Sequence, residues 1–461
     1  MDLLTRLVLV FYVSTAACRA SAGSTADPWT AGKVIDTVIC KADPGQSYAL
    51  YIPVRGNSQA LPVIYFFDPH AAGALPLRKY RALADVYGFI LAGSNNSKNG
   101  NDWPATENIW RRLSADVQAR VKINPNRIYL AGFSGGAKVA GYLAIQHPEV
   151  KGVLANGAGL PDGISAGDLS FSFTAIAGEG DMNLTELLSI SGDLDKTRTR
   201  HHLILFDGKH EWAPPDCMNK AFAGLQFDAM RTGLLPKDNG FINGYIIKSK
   251  QRLDSYLKTG ELKKAGRECM LSIGFLDGLS DAAGWFREKA ASLSGNALYR
   301  KQQQAEESLL QREQSIKAEY MQHFQRGDGT YWTTTIHDLQ GRVKAGGAGR
   351  EMYQRLLAYL SLAFYSISNH LINGNANSEA RHFVDLYEMA DPANSEAWYF
   401  SAILDARNRQ AAAATGDLLK AVDEGFRDLE RLRQQPEFKD PSIRIDLSGV
   451  ERKMHQPVKE N

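Results

Sequence analysis

The chain has 461 residues, of which 44% are hydrophobic, 23% charged and 10% aromatic, and this composition excludes a disordered, collagen-like or disulfide-scaffold protein. At roughly 150 residues per domain, with α/β domains often reaching about 200–250, the length predicts two or three domains. Lysine and arginine total 53 against 51 aspartates and glutamates, without long runs of one sign, so the charge does not favour nucleic acid as a partner.

The N-terminus has the features of an export signal. A short apolar run, Leu7–Val13, is followed by small residues. The run is far shorter than the roughly 20 residues that span a bilayer, so residues 1–22 are predicted to be a signal peptide and the protein to be exported, periplasmic or secreted. Two routes of processing stay open: cleavage at Ala20-Ser21-Ala22, or a bacterial lipoprotein signal, Thr15-Ala16-Ala17-Cys18, with a lipid anchor at Cys18.

Three cysteines lie beyond the signal: Cys40, Cys217 and Cys269. Their spacings match no zinc or redox motif, so no metal site is expected. One disulfide with one free thiol, or thiols buried in the core, both fit this set.

From about residue 46 to 212, short β-branched or aromatic runs alternate with stretches of helical periodicity. The predicted strands are Ser47–Ile52, Pro62–Phe67, Phe89–Gly93, Arg127–Ala131, Gly152–Asn156, Phe171–Ala177 and His202–Phe206. The predicted helices are Leu77–Tyr87, Thr106–Lys122 and Gly135–His147. Repeated strand–helix–strand units predict a doubly wound, mostly parallel α/β domain over residues 30–232, with its chemistry at the carboxyl ends of the strands.

Beyond about residue 235 the strand pattern stops and the sequence is helical to its end. Phe241–Leu257, Glu261–Leu276 and Ala297–Gln325 are predicted helices. Residues 233–345 are therefore interpreted as a helical linker with helix pairs.

A period of 34 residues is visible near the C-terminus. The matched positions are Phe364 and Trp398, Tyr365 and Tyr399, Ala380 and Ala414, Val384 and Leu418, and Tyr387 and Ala421. A helix–turn–helix unit of this length, with aromatics on its first helix and small residues on its second, resembles a tetratricopeptide repeat. The resemblance implies an all-α helical-repeat domain over residues 346–450 that binds a protein partner.

A serine framed by glycines follows one predicted strand directly. Gly132-Phe133-Ser134-Gly135-Gly136 connects the strand Arg127–Ala131 to the helix Gly135–His147. Glycines at these positions permit a sharp strand-to-helix turn that exposes a serine hydroxyl at the edge of the sheet, beside a helix N-terminus that favours negative charge. Ser134 is therefore predicted to be a nucleophile.

An activated serine needs a base and an acid that orients the base, which follow it here in the order acid, then histidine. Asp181 follows the strand Phe171–Ala177, and His210 follows the strand His202–Phe206, so both are predicted at the same sheet edge as Ser134. The alternatives for the base are His70, His147, His201 and His202. The alternatives for the acid are Asp162, Asp168, Glu179 and Asp207.

Acyl transfer also needs hydrogen-bond donors for the developing oxyanion. The backbone N–H of Gly135, next to the nucleophile, is one expected donor. The second is expected from the loop after the strand Pro62–Phe67, where Ala71 is the first choice and His70 the next. Trp103 and Trp212 stand in or beside polar loops and are candidates for contacting a phenolic or sugar group of the substrate.

Ser134, Asp181 and His210, together with the loop Asp68-Pro69-His70 and the stretch Gly93–Gly100, resemble the α/β-hydrolase superfamily. The pattern is similar to exported esterases grouped with polyhydroxybutyrate depolymerases and feruloyl or acetylxylan esterases. The resemblance implies a serine esterase that cleaves a small ester or acylated saccharide through an acyl-enzyme, without a cofactor. Many such enzymes have His-Gly-Gly where this chain has His70-Ala71-Ala72. An inactive scaffold whose repeats bind a partner and a serine peptidase are the alternatives.

Overall fold

The computed structural model of the chain describes residues 30–54, 60–164, 166–326 and 329–455. The predicted signal peptide, residues 1–22, and the predicted lipid anchor at Cys18 lie outside the described residues. Among the described helices, none combines the length and the apolar character that crossing a membrane requires.

The N-terminal half forms one eight-stranded sheet in the order β1-β2-β4-β3-β5-β6-β7-β8. The strands are β1 (Val34–Cys40), β2 (Asp43–Tyr51), β3 (Leu61–Phe67), β4 (Ile90–Ser94), β5 (Ile123–Phe133), β6 (Val150–Asn156), β7 (Ser172–Gly178) and β8 (His201–Phe206). Strands β3 to β8 run parallel, and β1 and β2 join one edge in antiparallel orientation. The predicted mostly parallel sheet is confirmed. The edge strand β1 was not predicted, because most of its residues are exposed or half-buried and its register shifts twice.

Helices cover both faces of the sheet. They are α1 (Ala74–Tyr87), α2 (Trp103–Arg120), α3 (Gly135–Gln146), α4 (Leu184–Leu194) and α5 (Pro215–Arg231). Successive residues of β3 point to opposite faces of the sheet and belong to two separate cores. Phe66 packs on the side of α1 and α5, while Tyr65 and Phe67 pack on the side of α2 and α3. A strand buried on both faces is a continuous apolar run, which is why the central strands were predictable.

The C-terminal half is entirely helical in the described residues. Its helices are α6 (Asn239–Thr259), α7 (Leu262–Leu276), α8 (Ala282–Gly295), α9 (Ala297–Arg326), α10 (Gly329–Ala345), α11 (Arg350–Asn373), α12 (Asn377–Ala390), α13 (Ser395–Arg407), α14 (Ala411–Asp423), α15 (Leu429–Gln434), α16 (Pro436–Lys439) and α17 (Leu447–Met454). The 34-residue period coincides with two successive helix pairs, α11 with α12 and α13 with α14. The equivalent residues Ala380 and Ala414 are both fully buried.

The predicted boundary at residue 232 does not separate two cores. Ile242 of α6, Phe275 of α7 and Phe286 of α8 belong to the same apolar cluster as the face of the sheet under α1 and α5. A second helical core begins with Tyr320 and extends to Met454. Helices α6–α8 are therefore part of the sheet domain rather than a linker to the repeats, because their apolar faces are buried against the helices that cover the sheet.

Two half-buried acids occur inside the helical array. Burial raises the pKa of Glu388 on α12 to about 7. A hydrogen bond with Ser401 opposes this increase, whereas the negative charge of Asp417 adds to it. Burial likewise raises the pKa of Asp417 on α14 to about 6. Arg381 is the nearby cation that favours the charged form of both acids.

Candidate active site

Ser134 occupies a sharp turn between β5 and α3. Its φ of 53° and ψ of −124° form a conformation that side-chain-bearing residues rarely adopt. The flanking glycines make the turn possible: a Cβ at Gly132 would lie 2.0 Å from the carbonyl oxygen of Gly136, and a Cβ at Gly136 would lie 2.0 Å from that of Phe67. The turn is also held by the Ser134 N–H, which donates to the carbonyl oxygen of Asn156 at 2.8 Å.

Three predicted side chains form a continuous hydrogen-bonded chain. Ser134 Oγ lies 2.9 Å from Nε2 of His210, and Nδ1 of His210 lies 2.9 Å from Oδ1 of Asp181. With its proton on Nδ1, His210 donates to Asp181 and accepts from the serine hydroxyl. Asp181 is fully buried, whereas the His210 side chain is 18% exposed, so solvent reaches the base but not the acid.

The ends of β7 and β8 bring the acid and the base together. Gly178 ends β7, and a Cβ there would lie 2.4 Å from the carbonyl oxygen of Lys209, so only glycine permits the two loops to approach. Asp181 is oriented by the Asn183 N–H, which donates to Oδ1 at 2.8 Å. The ring of Phe133, next to the serine, packs on His210 with 4.7 Å between centroids.

Asn156, at the end of β6, is a site residue that the sequence did not reveal. Its buried carboxamide donates to the carbonyl oxygen of Glu211 at 3.0 Å and accepts from the Ala213 N–H at 2.7 Å. Because its backbone also accepts from Ser134, one residue connects the serine turn to the loop that carries His210. The only sequence signal is a polar residue at the end of a buried strand.

The alternative histidines have other partners. His147 lies between Glu107 and Glu149, at 3.0 and 3.3 Å. His201 pairs with an exposed aspartate, His202 is buried against one, and His70 is exposed on its loop.

Three of the four alternative acids are engaged elsewhere, and the fourth, Asp207, is exposed. Asp162 pairs with Lys138 at 2.6 Å, and Asp168 pairs with Arg198 at 3.0 Å on the surface. Glu179 pairs with a guanidinium of the helical half. Asp181 is therefore the acid that the structure places next to His210.

The predicted second oxyanion donors are occupied. The Ala71 N–H donates to the carbonyl oxygen of Asp68 at 3.2 Å, and the His70 N–H donates to Oδ1 of Asp68 at 2.9 Å. Both bonds close a tight turn, in which Ala71 has a φ of 58°. Neither N–H is free in this conformation, which departs from the prediction. Gly135 differs, because it opens α3 and its N–H has no acceptor within the helix.

Asn99 lies beside Gly135 and was not singled out from the sequence. A Cβ on Gly135 would lie 1.9 Å from Oδ1 of Asn99, so the carboxamide packs directly on the residue after the nucleophile. The Asn99 N–H donates to the carbonyl oxygen of Pro69 at 2.9 Å, which ties its loop to the loop after β3. The side-chain amide of Asn99 therefore lies next to the serine turn, with its oxygen nearer to Gly135 than its nitrogen.

The two candidate substrate aromatics have different surroundings. Trp212 is only 5% exposed, and its Nε1–H donates to Oδ2 of Asp68 at 2.8 Å. Its indole is therefore part of the core that supports the loop after β3, whereas the sequence made it a candidate for contacting the substrate. Trp103 is 41% exposed and stacks on Tyr142 with 4.2 Å between centroids, so its role in substrate binding stays a prediction.

The described cysteines, Cys40, Cys217 and Cys269, are unpaired and buried. This excludes the disulfide that the sequence left open among them. Burial raises the pKa of each thiol to about 11, so none supplies a thiolate nucleophile near neutral pH.

A polar cleft of about 270 Å³ lies between the sheet half and the last helices. Its lining residues are Lys98, Asp428, Glu430, Arg431, Gln434, Gln435 and Pro436. Among the lining residues only Lys98, which precedes Asn99, belongs to the sheet half, whereas the others lie on or beside α15 and α16.

No protein-family model and no curated protein sequence matches this chain. Solved structures similar to it include an esterase of the hyperthermophilic archaeon Pyrobaculum calidifontis, at 14% identity and a TM-score of 0.35, over 44% of this chain and 85% of the esterase. An S-formylglutathione hydrolase from Agrobacterium tumefaciens is similar at 16% identity and a TM-score of 0.33, over 43% of this chain and 94% of the hydrolase. The acylaminoacyl peptidase of Pyrococcus horikoshii is similar at 12% identity and a TM-score of 0.30, over 40% and 39% of the two chains.

Proposed function

We propose that this protein is a serine hydrolase of the α/β-hydrolase type that cleaves carboxylic esters through an acyl-enzyme. The observation that carries the proposal is the unbroken chain from Ser134 Oγ through His210 to the buried Asp181, with 2.9 Å at each step. A serine in a strained turn, a histidine within hydrogen-bond reach and a buried carboxylate behind it are the parts that nucleophilic catalysis requires.

The reaction begins when Ser134 Oγ attacks the ester carbonyl while Nε2 of His210 accepts the hydroxyl proton. The resulting imidazolium is stabilised by Asp181 at Nδ1. The tetrahedral intermediate collapses as His210 returns the proton to the leaving alcohol, and Ser134 keeps the acyl group. Water, deprotonated by His210, then attacks the acyl carbonyl, and the acid leaves as Ser134 recovers its proton.

We propose that the oxyanion is received by the N–H of Gly135 and by the carboxamide of Asn99. The first-turn N–H of Gly135 is free within α3 and benefits from the positive end of the helix. In this role the carboxamide of Asn99, whose oxygen now faces Gly135, turns so that its Nδ2 donates to the oxyanion in place of the N–H groups of His70 and Ala71, which Asp68 engages. Side-chain amides serve this purpose in other acyl-transfer enzymes, where one donor contributes about 10²–10³ in rate.

The polar lining of the cleft beside Lys98 supports a substrate with a polar group, such as a small ester or an acylated saccharide. We further propose that the protein is exported, with or without a lipid at Cys18. The helix pairs α11–α12 and α13–α14 support tetratricopeptide-like repeats, which would offer a surface to a protein partner.

The test is covalent labelling with a fluorophosphonate probe. We expect the full chain to be labelled once, at Ser134, and both Ser134→Ala and His210→Ala to abolish labelling while keeping the far-ultraviolet circular dichroism of the wild type. Folded wild-type protein that resists the probe would instead favour the inactive scaffold. Acetylated and feruloylated sugars, short p-nitrophenyl esters and peptides then separate esterase from peptidase, because the same triad serves both reactions.

A further inference from the structure

The loop that carries Asp181 is contacted by the C-terminal helices. The guanidinium of Arg355 on α11 donates to the carbonyl oxygen of Glu179. The ammonium of Lys317 on α9 donates to the carbonyl oxygen of Met182 at 3.4 Å. These two carbonyls stand on either side of Asp181, so the helical half holds the acid loop, residues 179–182, at both ends.

One buried carboxylate orients both cations. Glu313 on α9 accepts a hydrogen bond from Nε of Arg355 at 2.7 Å, and Nζ of Lys317 lies 2.7 Å from its other oxygen. The side chains of Glu313 and Arg355 are 0% and 6% exposed, so this pair is shielded from water. A buried pair of this kind resists rearrangement, because moving one partner leaves the other charge uncompensated.

The acid loop needs an external restraint because its own sequence is permissive. Gly178 and Gly180 flank Glu179, and glycine samples more backbone conformations than other residues. Within the sheet half, the Gly180 N–H bonds the carbonyl oxygen of Gly208 at 2.8 Å. Helix α11 closes over the same residue, since a Cβ on Gly180 would lie 2.8 Å from Oε1 of Gln354.

We propose that Arg355, Lys317 and Glu313 are positioning residues for the catalytic acid, so that the helical half takes part in the reaction of the sheet half. The inference rests on the proposed function, because it assigns the helices a role in chemistry at Ser134. The three side chains act through the backbone of the acid loop, which sets the direction of the Asp181 carboxylate toward Nδ1 of His210.

Arg355→Met removes the donor to the Glu179 carbonyl and leaves Glu313 with one cationic partner. We expect fluorophosphonate labelling of Ser134 to slow by about 10- to 100-fold, since a misplacement of about 1 Å costs a comparable factor in other enzymes. Arg355→Lys, which keeps the charge and one bond, should recover part of the rate.

Arg407→Met is the matched control. Arg407 also donates to a carboxylate, Glu437 at 2.8 Å, and to a backbone carbonyl, Ile372 at 2.8 Å, but both partners belong to the helical half. We expect Arg407→Met to lower the melting temperature as Arg355→Met does, while its labelling rate stays at the wild-type value.

The decisive measurement repeats Arg355→Met in the background of Asp181→Asn. If Arg355 acts through Asp181, the second substitution has little further effect on the residual labelling rate. An equal slowing in both backgrounds, or a folded Arg355→Met protein that is labelled at the wild-type rate, would overturn the proposal. If Arg355→Met does not fold, Lys317→Met provides the same test at a side chain that is 18% exposed.

The two proposals fail in different ways. Absence of labelling in the folded wild-type chain refutes the proposed function itself. Wild-type labelling that is lost in Ser134→Ala but unchanged in Arg355→Met refutes only the role of the helices.

Discussion

Asp181→Asn tests the candidate site most directly, because it changes one charge at nearly constant shape. In the wild type, Oδ1 of Asp181 accepts from Nδ1 of His210 at 2.9 Å and from the Asn183 N–H at 2.8 Å. An asparagine oxygen in the same place keeps both bonds. The charge is lost, and with it the stabilisation of the imidazolium that forms in the transition state.

The loss follows from the geometry. A unit charge on the ring and one on the carboxylate, about 4 Å apart at an effective dielectric constant near 20, attract each other by about 4 kcal/mol. This corresponds to about 10³-fold in rate, and an amide group buried at the position of Oδ2, which has no described partner, adds to the penalty. We therefore expect a rate about 10³- to 10⁴-fold below the wild type.

The assay is the second-order rate of fluorophosphonate labelling at pH 8, because it requires no knowledge of the substrate. Asp168→Asn is the control, since Asp168 was an alternative acid and is paired with Arg198 on the surface. It should label within about twofold of the wild type because surface ion pairs contribute little. If Asp181→Asn loses less than tenfold, or if Asp168→Asn loses as much, the assignment of the acid is wrong.

Three further predictions follow from individual contacts. Asn99→Ala and Asn99→Asp should each slow labelling by about 10²-fold, because either change removes a donor at the oxyanion; a rate within threefold of the wild type would exclude Asn99 from that role. Gly136→Ala should destabilise the protein by about 1–3 kcal/mol or more in urea unfolding, because its Cβ would meet the Phe67 carbonyl at 2.0 Å, whereas Gly192→Ala, with no atom within 4 Å, should be tolerated. Glu388→Gln should leave the free energy of unfolding in urea unchanged at pH 4. At pH 8 it should raise this free energy by on the order of 1–2 kcal/mol, a value reduced because the Glu388 side chain is partly exposed. The sign follows because burial raises the pKa of Glu388 from 4.5 to about 7, so the wild-type fold loses stability as pH rises through that interval; equal effects at both pH values would contradict it.

Much of the sheet half could be predicted because its signals are local. Central strands such as β3 are unbroken apolar runs, and a glycine-framed serine between a strand and a helix is typical of a turn that presents a nucleophile. The order of Asp181 and His210 after Ser134 could also be read directly, since each follows a strand whose carboxyl end faces the same edge of the sheet. The 34-residue period likewise predicted successive helix pairs.

The remaining features depend on contacts between distant segments. The N–H groups of His70 and Ala71 are engaged because Asp68 closes a turn on them, and Trp212 is buried because Asp68 accepts its indole N–H across 144 residues. The core shared by α6–α8 with the sheet, and the hold of Arg355 on the acid loop across 176 residues, arise in the same way. Thus the sequence by itself determined the candidate nucleophile, acid and base, Ser134, Asp181 and His210, because strand ends and turns are encoded locally. Only the tertiary structure decided which donors are free and what holds the acid in place, because burial and hydrogen-bond partners depend on which distant segments meet.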